Sequence, residues 1–223
     1  MVASGVAVRR STGLFVLAAF AAVLFLGLAA AVEEDGAMGF DMALRADVHR
    51  LTSPLLTLIA SNMTWLGSLG ALAVFGAIAA AILMRAHRRD DAALLAVTMA
   101  GALALENGLK YLFHRARPPP FFGSDPTSYS FPSGHALFSL CFFGMLAILV
   151  GRAAPSNVVK AGLWIATGLL VLTIGATRIY LGVHYPSDVL AGYLVAIALV
   201  AIILAAERCL RSEKTADHLP KKP

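Results

Sequence analysis

Long apolar runs occupy most of this 223-residue chain, and most of the charged residues lie in the stretches between and beside them. A run of roughly 18 or more apolar residues is long enough to cross a bilayer as a helix. Five apolar runs reach this length, at residues 14–32, 65–84, 92–113, 158–176 and 189–206, and a sixth, shorter run lies at 136–150. Only 14% of the residues are charged, against about 25% in an ordinary soluble domain. The sequence therefore predicts an all-α polytopic membrane protein with six transmembrane helices, as one domain over residues 1–206 with a polar tail at 207–223.

Basic residues accompany every second connector, which predicts the orientation of the chain. Arg9 and Arg10 precede the first run, and further Arg residues follow the second run at 85–89. Arg152 and Lys160 flank the gap between the fourth and fifth runs, and more Lys and Arg residues lie in the tail. Because cytoplasmic connectors carry the excess of Lys and Arg, both termini are expected in the cytoplasm. The connectors expected to face outward are then residues 33–64, 114–135 and 177–188.

The two ends of the chain carry further expectations. The small residues at 29–31 resemble a signal cleavage site, yet the first run is longer than a usual signal core of about 7–15 residues. A retained anchor and a cleaved leader both stay open. Residues 41–62 mix apolar and charged residues at near-helical spacing, which fits either a helix along the outer membrane surface or a covering loop. The tail after Glu207 is polar and is expected to be disordered.

Composition and cysteine spacing exclude several classes of function. The net charge is +5, but the basic residues do not gather on a soluble face that could bind nucleic acid. Cys141 lies inside an apolar run and Cys209 follows the last one, so a disulfide between them is not expected. The sequence contains no CxxC and no paired Cys/His spacing, and no metal site is predicted.

Three polar clusters lie in the two later outward connectors, and polar residues near membrane depth suggest function because they are costly there. The first is KYLFHRARP at residues 110–118. Lys110 and Arg117 are seven residues apart, which predicts that both lie on one helix face, two turns apart, as an anion clamp. Glu106, four residues before Lys110, is well placed for an ion pair. Arg115 is expected to point elsewhere on the helix, and a snorkelling membrane-edge anchor is the alternative for the cluster.

The second cluster is FPSGH at residues 131–135, where the fourth span begins. Ser133 is a good helix cap, and Gly134 lets a ligand approach the backbone closely. The free backbone N–H groups at a helix start bind anions, and His135 in the first turn is placed to donate a proton. Taken alone, the motif fits an ordinary capped helix start with an interfacial histidine equally well.

The third cluster is TRIYLGVHYPSD at residues 177–188, in which Arg178 supplies another cation. His184 and Asp188 are four residues apart across a helix start, with Pro186 tolerated in its first turn. The carboxylate could then accept a hydrogen bond from one ring nitrogen and leave the other free to attack. The alternative is a pair that only stabilises a turn. Together the clusters place cations, a nucleophile and a proton donor on one membrane face, which is the set that phosphoryl transfer needs.

The three clusters resemble the tripartite signature of the phosphatidic acid phosphatase type 2 superfamily. KYLFHRARP fits the first motif, Lys-x6-Arg-Pro, and PSGH fits the second. TRIYLGVHYPSD fits the third, Ser-Arg-x5-His-x3-Asp, with Thr177 in place of the serine. The resemblance covers about residues 12–206. It implies a bacterial plasma-membrane phosphatase that needs no metal and no cofactor, with its active site at the extracytoplasmic end of a six-helix bundle.

The resemblance also implies a role for each motif residue. His184 would be the nucleophile that forms a phosphohistidine, Asp188 would orient it, and His135 would protonate the leaving oxygen. The residues expected to bind the phosphate are Lys110, Arg117, Ser133, Gly134 and Arg178. Asp125 matches no motif position and is expected to be structural.

The substrate and the phosphate acceptor stay open at this point. The resemblance implies a phosphomonoester or diphosphate of a lipid, such as undecaprenyl diphosphate, phosphatidylglycerol phosphate or phosphatidate. Transfer to an acceptor other than water is an alternative. A phosphate or lipid transporter is an alternative of another class, disfavoured because the polar residues gather at one edge rather than along a pathway. The expected partners are the lipid phosphate substrate and membrane lipids, with no nucleic acid and no obligatory protein partner.

Overall fold

A computed structural model describes residues 2–123 and 127–217, and the side chains of 11–123 and 127–212. Over these ranges the chain forms α-helices and one π-helical turn, and it has no strand. The helices are α1 (Val2–Glu33), α2 (Met38–Arg50), α3 (Pro54–Trp65), α4 (Leu69–Arg85), α5 (Arg89–Phe113), α6 (Gly134–Ser139), α7 (Met145–Gly151), α8 (Asn157–Tyr180) and α9 (Pro186–Asp217). The π-helical turn, Leu140–Gly144, joins α6 to α7, so that Gly134–Gly151 forms one continuous span.

Five helical segments are long and apolar enough to cross a membrane. They are Ser11–Glu33, Arg89–Phe113, Gly134–Gly151, Asn157–Tyr180 and Pro186–Ser212. The remaining predicted span, residues 65–84, corresponds to α4. This helix is shorter and is joined to α3 by a bend of 50°. The helical membrane fold is therefore confirmed, with five spans, or six if the bent pair α3–α4 counts as one.

The helix starts follow from local sequence. Ser53 accepts a hydrogen bond from the Leu56 N–H, with Pro54 as the first helical residue of α3. Ser156 caps α8 in the same way, through the Val159 N–H.

Of the two alternatives for residues 41–62, the helical one agrees with the structure, because this segment forms α2 and α3 and is not a covering loop.

α1 packs along α9, through a stripe of buried residues three or four positions apart: Ala18, Ala21, Phe25, Ala29 and Val32. The two helices run antiparallel. Near its N-terminus, α1 lines a pocket with Ala201 and Leu204, late in α9. Near its C-terminus, the Phe25 ring stacks on Phe131, with ring centroids 5.8 Å apart. Both ends of the described chain therefore lie at the end of the bundle away from Phe131.

An ionic network ties the helices together at that end. Arg152 binds Asp91 at the start of α5 and Glu207 late in α9, each at 2.6 Å. Arg88 also binds Asp91, at 2.7 Å, and Arg211 binds Glu207, at 2.9 Å. This basal network joins α5, α7 and α9 opposite the polar clusters.

The expectation of a disordered tail is wrong for residues 208–217, because α9 continues to Asp217. This stretch has no Gly or Pro to end the helix. The ion pair between Glu207 and Arg211, four residues apart, also supports it. Residues 218–223 lie outside the described residues, as does Asp125 with its expected structural role. Cys141 is buried, Cys209 is exposed, and both are free thiols.

Candidate active site

The three polar clusters meet at the end of the bundle where α5 and α8 finish and α6 and α9 begin. His135, in the first turn of α6, interacts electrostatically with four charged or titratable residues from the other clusters: Lys110, Arg117, Arg178 and His184. Asp188 joins them through its contact with His184. The structure thus brings these residues, predicted from the sequence, together at one end of the bundle.

His184 and Asp188 form the predicted pair. The Nδ1 atom of His184 lies 3.2 Å from the Asp188 Oδ2 atom, and both side chains are buried. The Nε2 atom lies 2.9 Å from the Nη1 atom of Arg117. A guanidinium can only donate hydrogen bonds, so Nε2 must be the acceptor. Nδ1 must then carry the hydrogen of the bond that His184 donates to Asp188. The lone pair of Nε2 therefore faces the cationic side of the pocket.

The environment keeps His184 neutral. Burial lowers the pKa of His184 to about 4, although the hydrogen bond and charge of Asp188 act in the opposite direction. The charges of Arg117 and Arg178 add to the lowering. Near neutral pH the imidazole is uncharged and Nε2 keeps its lone pair, which is what a nucleophile requires.

Arg117 does not lie on a helix face with Lys110, and that prediction is wrong. α5 ends at Phe113, and His114 follows in the left-handed conformation with φ 46°. Because Arg115, Ala116 and Arg117 lie beyond this stop, Arg117 approaches the pocket from the loop. There it donates to the Val183 carbonyl at 2.8 Å and to the Ser128 carbonyl at 2.6 Å.

Lys110 stays in the last turn of α5 and forms the predicted ion pair with Glu106. Glu106 is itself wedged against the start of α6. A Cβ added at Gly134 would lie 2.9 Å from the Glu106 Oε1 atom. Gly134 therefore lets this carboxylate approach, and Glu106 holds Lys110 beside the start of α6.

Ser133 precedes α6 as its N-cap by position, but its side chain caps no backbone N–H, so the capping prediction is wrong. Its N–H donates to the Asp188 carbonyl at 2.9 Å, which joins the start of α6 to the start of α9. The Ser133 side chain is fully buried, and its Oγ has no hydrogen-bond partner among the described residues. A buried hydroxyl without a partner is costly, so this one is available to a ligand.

The turn between α3 and α4 also contributes to the site, which the sequence did not indicate. Thr64 accepts a hydrogen bond from the Nη1 atom of Arg178 at 2.7 Å, while the Arg178 Nε atom is buried without a partner in the described part of the chain. Gly67 packs against His135, since a Cβ there would lie 3.3 Å from the His135 Cδ2 atom. Its only sequence signal was a small residue at the outward end of a span.

Two further residues were missed. Arg115, expected to point away, donates to the Asp188 Oδ1 atom at 2.6 Å. It also donates to Asp41 of α2 at 2.8 Å.

No described group of three or more His, Cys, Asp and Glu side chains could hold a metal ion. The arrangement offers a neutral imidazole nucleophile, a second imidazole and several cations, which is suited to moving a phosphoryl group.

The PAP2 superfamily profile matches residues 91–208. Phosphatidylglycerophosphatase B of Bacillus subtilis is 27% identical over 182 residues, which cover 81% of this chain and 90% of that protein. Undecaprenyl-diphosphatase of Sulfolobus acidocaldarius is 30% identical over 138 residues, which cover 59% of this chain and 63% of that protein.

Among solved structures, a crystal structure of a transmembrane PAP2 type phosphatidylglycerolphosphate phosphatase from Bacillus subtilis superposes with a TM-score of 0.77. It covers 92% of this chain and 99% of its own, at 24% sequence identity. This likeness shows that the two chains share a fold.

Proposed function

The chain belongs to the PAP2 superfamily, and we propose that it is a multi-pass membrane phosphatase that hydrolyses a lipid phosphate through a phosphohistidine intermediate. The observation that carries this is the His184 side chain. One ring nitrogen is held by Asp188 and the other keeps its lone pair beside Arg117.

The reaction has two steps. In the first, the Nε2 atom of His184 attacks phosphorus and the bond from phosphorus to the leaving oxygen breaks, which is the ester oxygen of a monophosphate or the bridging oxygen of a diphosphate. His135 gives its proton to that oxygen. In the second, His135 takes a proton from water, the water oxygen attacks the phosphohistidine, and inorganic phosphate leaves with His184 restored. Asp188 stabilises the positive charge that develops on His184 during the attack.

The negative charge on the transferred phosphoryl group is neutralised by Lys110, Arg117 and Arg178. The Ser133 hydroxyl and the Gly134 N–H donate hydrogen bonds to its oxygens. A phosphoryl group in transfer carries negative charge on its three peripheral oxygens, and fixed cations and donors stabilise it without reorganisation. The Ser133 Oγ and Arg178 Nε atoms have no hydrogen-bond partner within residues 11–123 and 127–212. They support this assignment, because a phosphate oxygen would satisfy them.

The location of the site supports a lipid substrate. Lys110 and Arg178 lie in the last turns of two candidate spans, and His135 and Asp188 lie in the first turns of two others. The ends of membrane spans lie near the phosphorylated head groups of lipids, which supports a lipid phosphate as the substrate. We propose that the substrate is phosphatidylglycerol phosphate, undecaprenyl diphosphate or phosphatidate, the first two being the substrates in the names of the similar proteins.

We further propose that the site faces the extracytoplasmic side and that both termini are cytoplasmic. The end of the bundle opposite the site carries the basic residues of the connector at 85–89, Arg152 and the last turns of α9. Positive residues favour the cytoplasmic side.

We also propose that α1 is retained. Phe25, Ala29 and Val32 are buried in the core beside Phe131, and cleavage near residue 31 would expose that core.

The test is phosphate release from each lipid by the purified chain in detergent with EDTA present. We expect release from at least one substrate and a loss of about 10³-fold or more in kcat for His184→Asn. The matched control is His87→Asn. His87 is exposed at the basal end with φ 57°, a conformation that Asn tolerates. Loss of all activity in EDTA, or an active His184→Asn variant, would refute the mechanism.

A second arm distinguishes hydrolysis from transfer. Radiolabelled substrate is incubated with and without a second, hydroxyl-bearing lipid. Label recovered only as inorganic phosphate supports hydrolysis, whereas a labelled second lipid would show that water is not the acceptor.

A further inference from the structure

A buried chain of charges runs from α2 to the catalytic pair. Arg115 lies between two carboxylates, donating from Nη1 to Asp188 Oδ1 at 2.6 Å and from Nη2 to Asp41 Oδ2 at 2.8 Å. Asp41 and Asp188 are fully buried, and the Arg115 side chain is only 10% exposed. Burying three charges costs free energy unless each charge is paired and hydrogen-bonded. Because these residues are buried, they do not serve solubility, and their arrangement indicates another role.

We propose that Arg115, fixed in place by Asp41, is a positioning residue that holds the Asp188 carboxylate in the orientation His184 requires. This inference rests on the proposed function, in which His184 is the nucleophile.

The two oxygens of Asp188 have separate partners. Oδ2 accepts from His184 Nδ1 at 3.2 Å and from the Tyr185 N–H at 2.9 Å. Oδ1 accepts from Arg115. Because both oxygens are engaged, the carboxylate cannot rotate without breaking a charge-assisted hydrogen bond. Rotation would take Oδ2 away from Nδ1, and the Nε2 atom would no longer be aimed into the pocket.

Arg115 is itself held on several sides. Its guanidinium lies over the Tyr185 ring, 4.1 Å from the centroid, which is a cation–π contact. Its carbonyl accepts from the Ser130 N–H at 2.9 Å, which fixes the loop behind it. A guanidinium presents donors on two separate nitrogens in a rigid fork, whereas a lysine ammonium is a single point charge. Only the fork can bridge Asp41 and Asp188 at this geometry.

Asp41 completes the anchor from outside the part of the chain that the superfamily profile matches, since that match begins at residue 91. It accepts from the backbone N–H of Ser187 at 2.8 Å and from the Ser187 hydroxyl, so α2 is fastened to the first turn of α9. Burial alone would lower the pKa of Arg115. The charges and hydrogen bonds of Asp188 and Asp41 outweigh burial and raise that pKa, so Arg115 stays charged.

The decisive variant is the double substitution Asp41→Asn with Arg115→Met. Removing Arg115 alone would leave two buried carboxylates without a cation and could unfold the protein. The double variant removes one charge of each sign and leaves the net buried charge unchanged. The matched control is Asp47→Asn, which breaks the exposed α2 pair between Asp47 and Arg50. Elution on size exclusion and the thermal unfolding midpoint establish that each variant folds.

For the folded double variant we expect kcat to fall about 10²-fold, the effect of an approximately 1 Å misplacement. KM should change little, because Lys110, Arg117 and Arg178 remain. The acid limb of kcat/KM should move about one pH unit higher, since the uncompensated Asp188 carboxylate favours the imidazolium form of His184. Arg115→Lys should give an intermediate kcat, because one ammonium cannot bridge both carboxylates.

The inference would be overturned by a folded double variant with the kcat and acid limb of the unmodified chain, or by an Arg115→Lys variant of undiminished kcat. A general structural defect would raise KM and lower kcat together without moving the acid limb, and this too would count against positioning. The proposed function fails separately, when the unmodified chain releases no phosphate from any lipid in the panel.

Discussion

Gly192 is the point where α9 crosses the start of α6, and a methyl group there should disable the site. A Cβ at residue 192 would lie 2.6 Å from the Ser133 carbonyl oxygen and 3.0 Å from the Ala136 Cβ atom. Atoms in comfortable contact are about 3.5 Å apart, so the two helices must separate by about 0.9 Å. The hydrogen bond from the Ser133 N–H to the Asp188 carbonyl, now 2.9 Å, would lengthen to about 3.8 Å, beyond hydrogen-bonding range.

This displacement moves Ser133 and His135 away from His184. We expect Gly192→Ala to lower kcat by about 10- to 100-fold, because misplacement by about 1 Å costs roughly 10²-fold. Overpacking should also lower the free energy of unfolding by about 1–3 kcal/mol, partly offset by the better helix propensity of Ala.

The assay is lipid phosphate hydrolysis in detergent, with thermal unfolding followed in parallel. The matched control is Gly168→Ala in α8, where a Cβ would have no atom of the described residues within 4 Å. That variant should keep full activity and gain about 0.5–1 kcal/mol. If Gly192→Ala were as active and as stable as Gly168→Ala, the close contact between α6 and α9 would not be what positions the site.

Two other predictions concern protonation and orientation. The kcat/KM profile should be bell-shaped with its acid limb near pH 4, because His184, whose pKa is lowered to about 4, must be neutral to attack. An acid limb near the ordinary histidine value, about 6.5, would contradict the burial argument, and a rate flat from about pH 5 to 9 would contradict a histidine acid. Cys209 is exposed near the basal end of α9. A membrane-impermeant maleimide should label it in inverted vesicles and not in intact cells, and the reverse pattern would invert the proposed topology.

Sequence patterns predicted the local parts of the site well. The four-residue spacing of His184 and Asp188 predicted their hydrogen bond, and the spacing of Glu106 and Lys110 predicted their ion pair. These pairs lie within one helix or across its first turn, where chain geometry alone fixes the distance. The resemblance to the superfamily is confirmed by the match over residues 91–208, and the reading as a lipid phosphatase agrees with the similar proteins.

The errors occurred where a local rule met a backbone feature that sequence spacing does not reveal. Arg117 was placed on α5 because seven residues make two helical turns, but His114 stops the helix four residues after Lys110. Ser133 was expected to cap α6, yet its hydroxyl makes no capping hydrogen bond in the described helix and its N–H donates to the Asp188 carbonyl. The helix stop at His114 is a local backbone feature, whereas the Ser133 N–H is bonded to a distant segment, and residue spacing reveals neither.

The sequence by itself determined that this chain spans a membrane and that its histidines, cations and carboxylate gather at one end. Hydropathy and helical spacing act over a few turns, so they can be seen without a fold. Only the tertiary structure decided that Arg115 is held between Asp41 and Asp188. It also decided that Thr64 accepts a hydrogen bond from Arg178 and that Gly67 packs against His135. The close approach of α6 to α9 at Gly192 is a third such contact. The residues in these contacts come from helices far apart in the chain, and their distances depend on packing that no local pattern encodes.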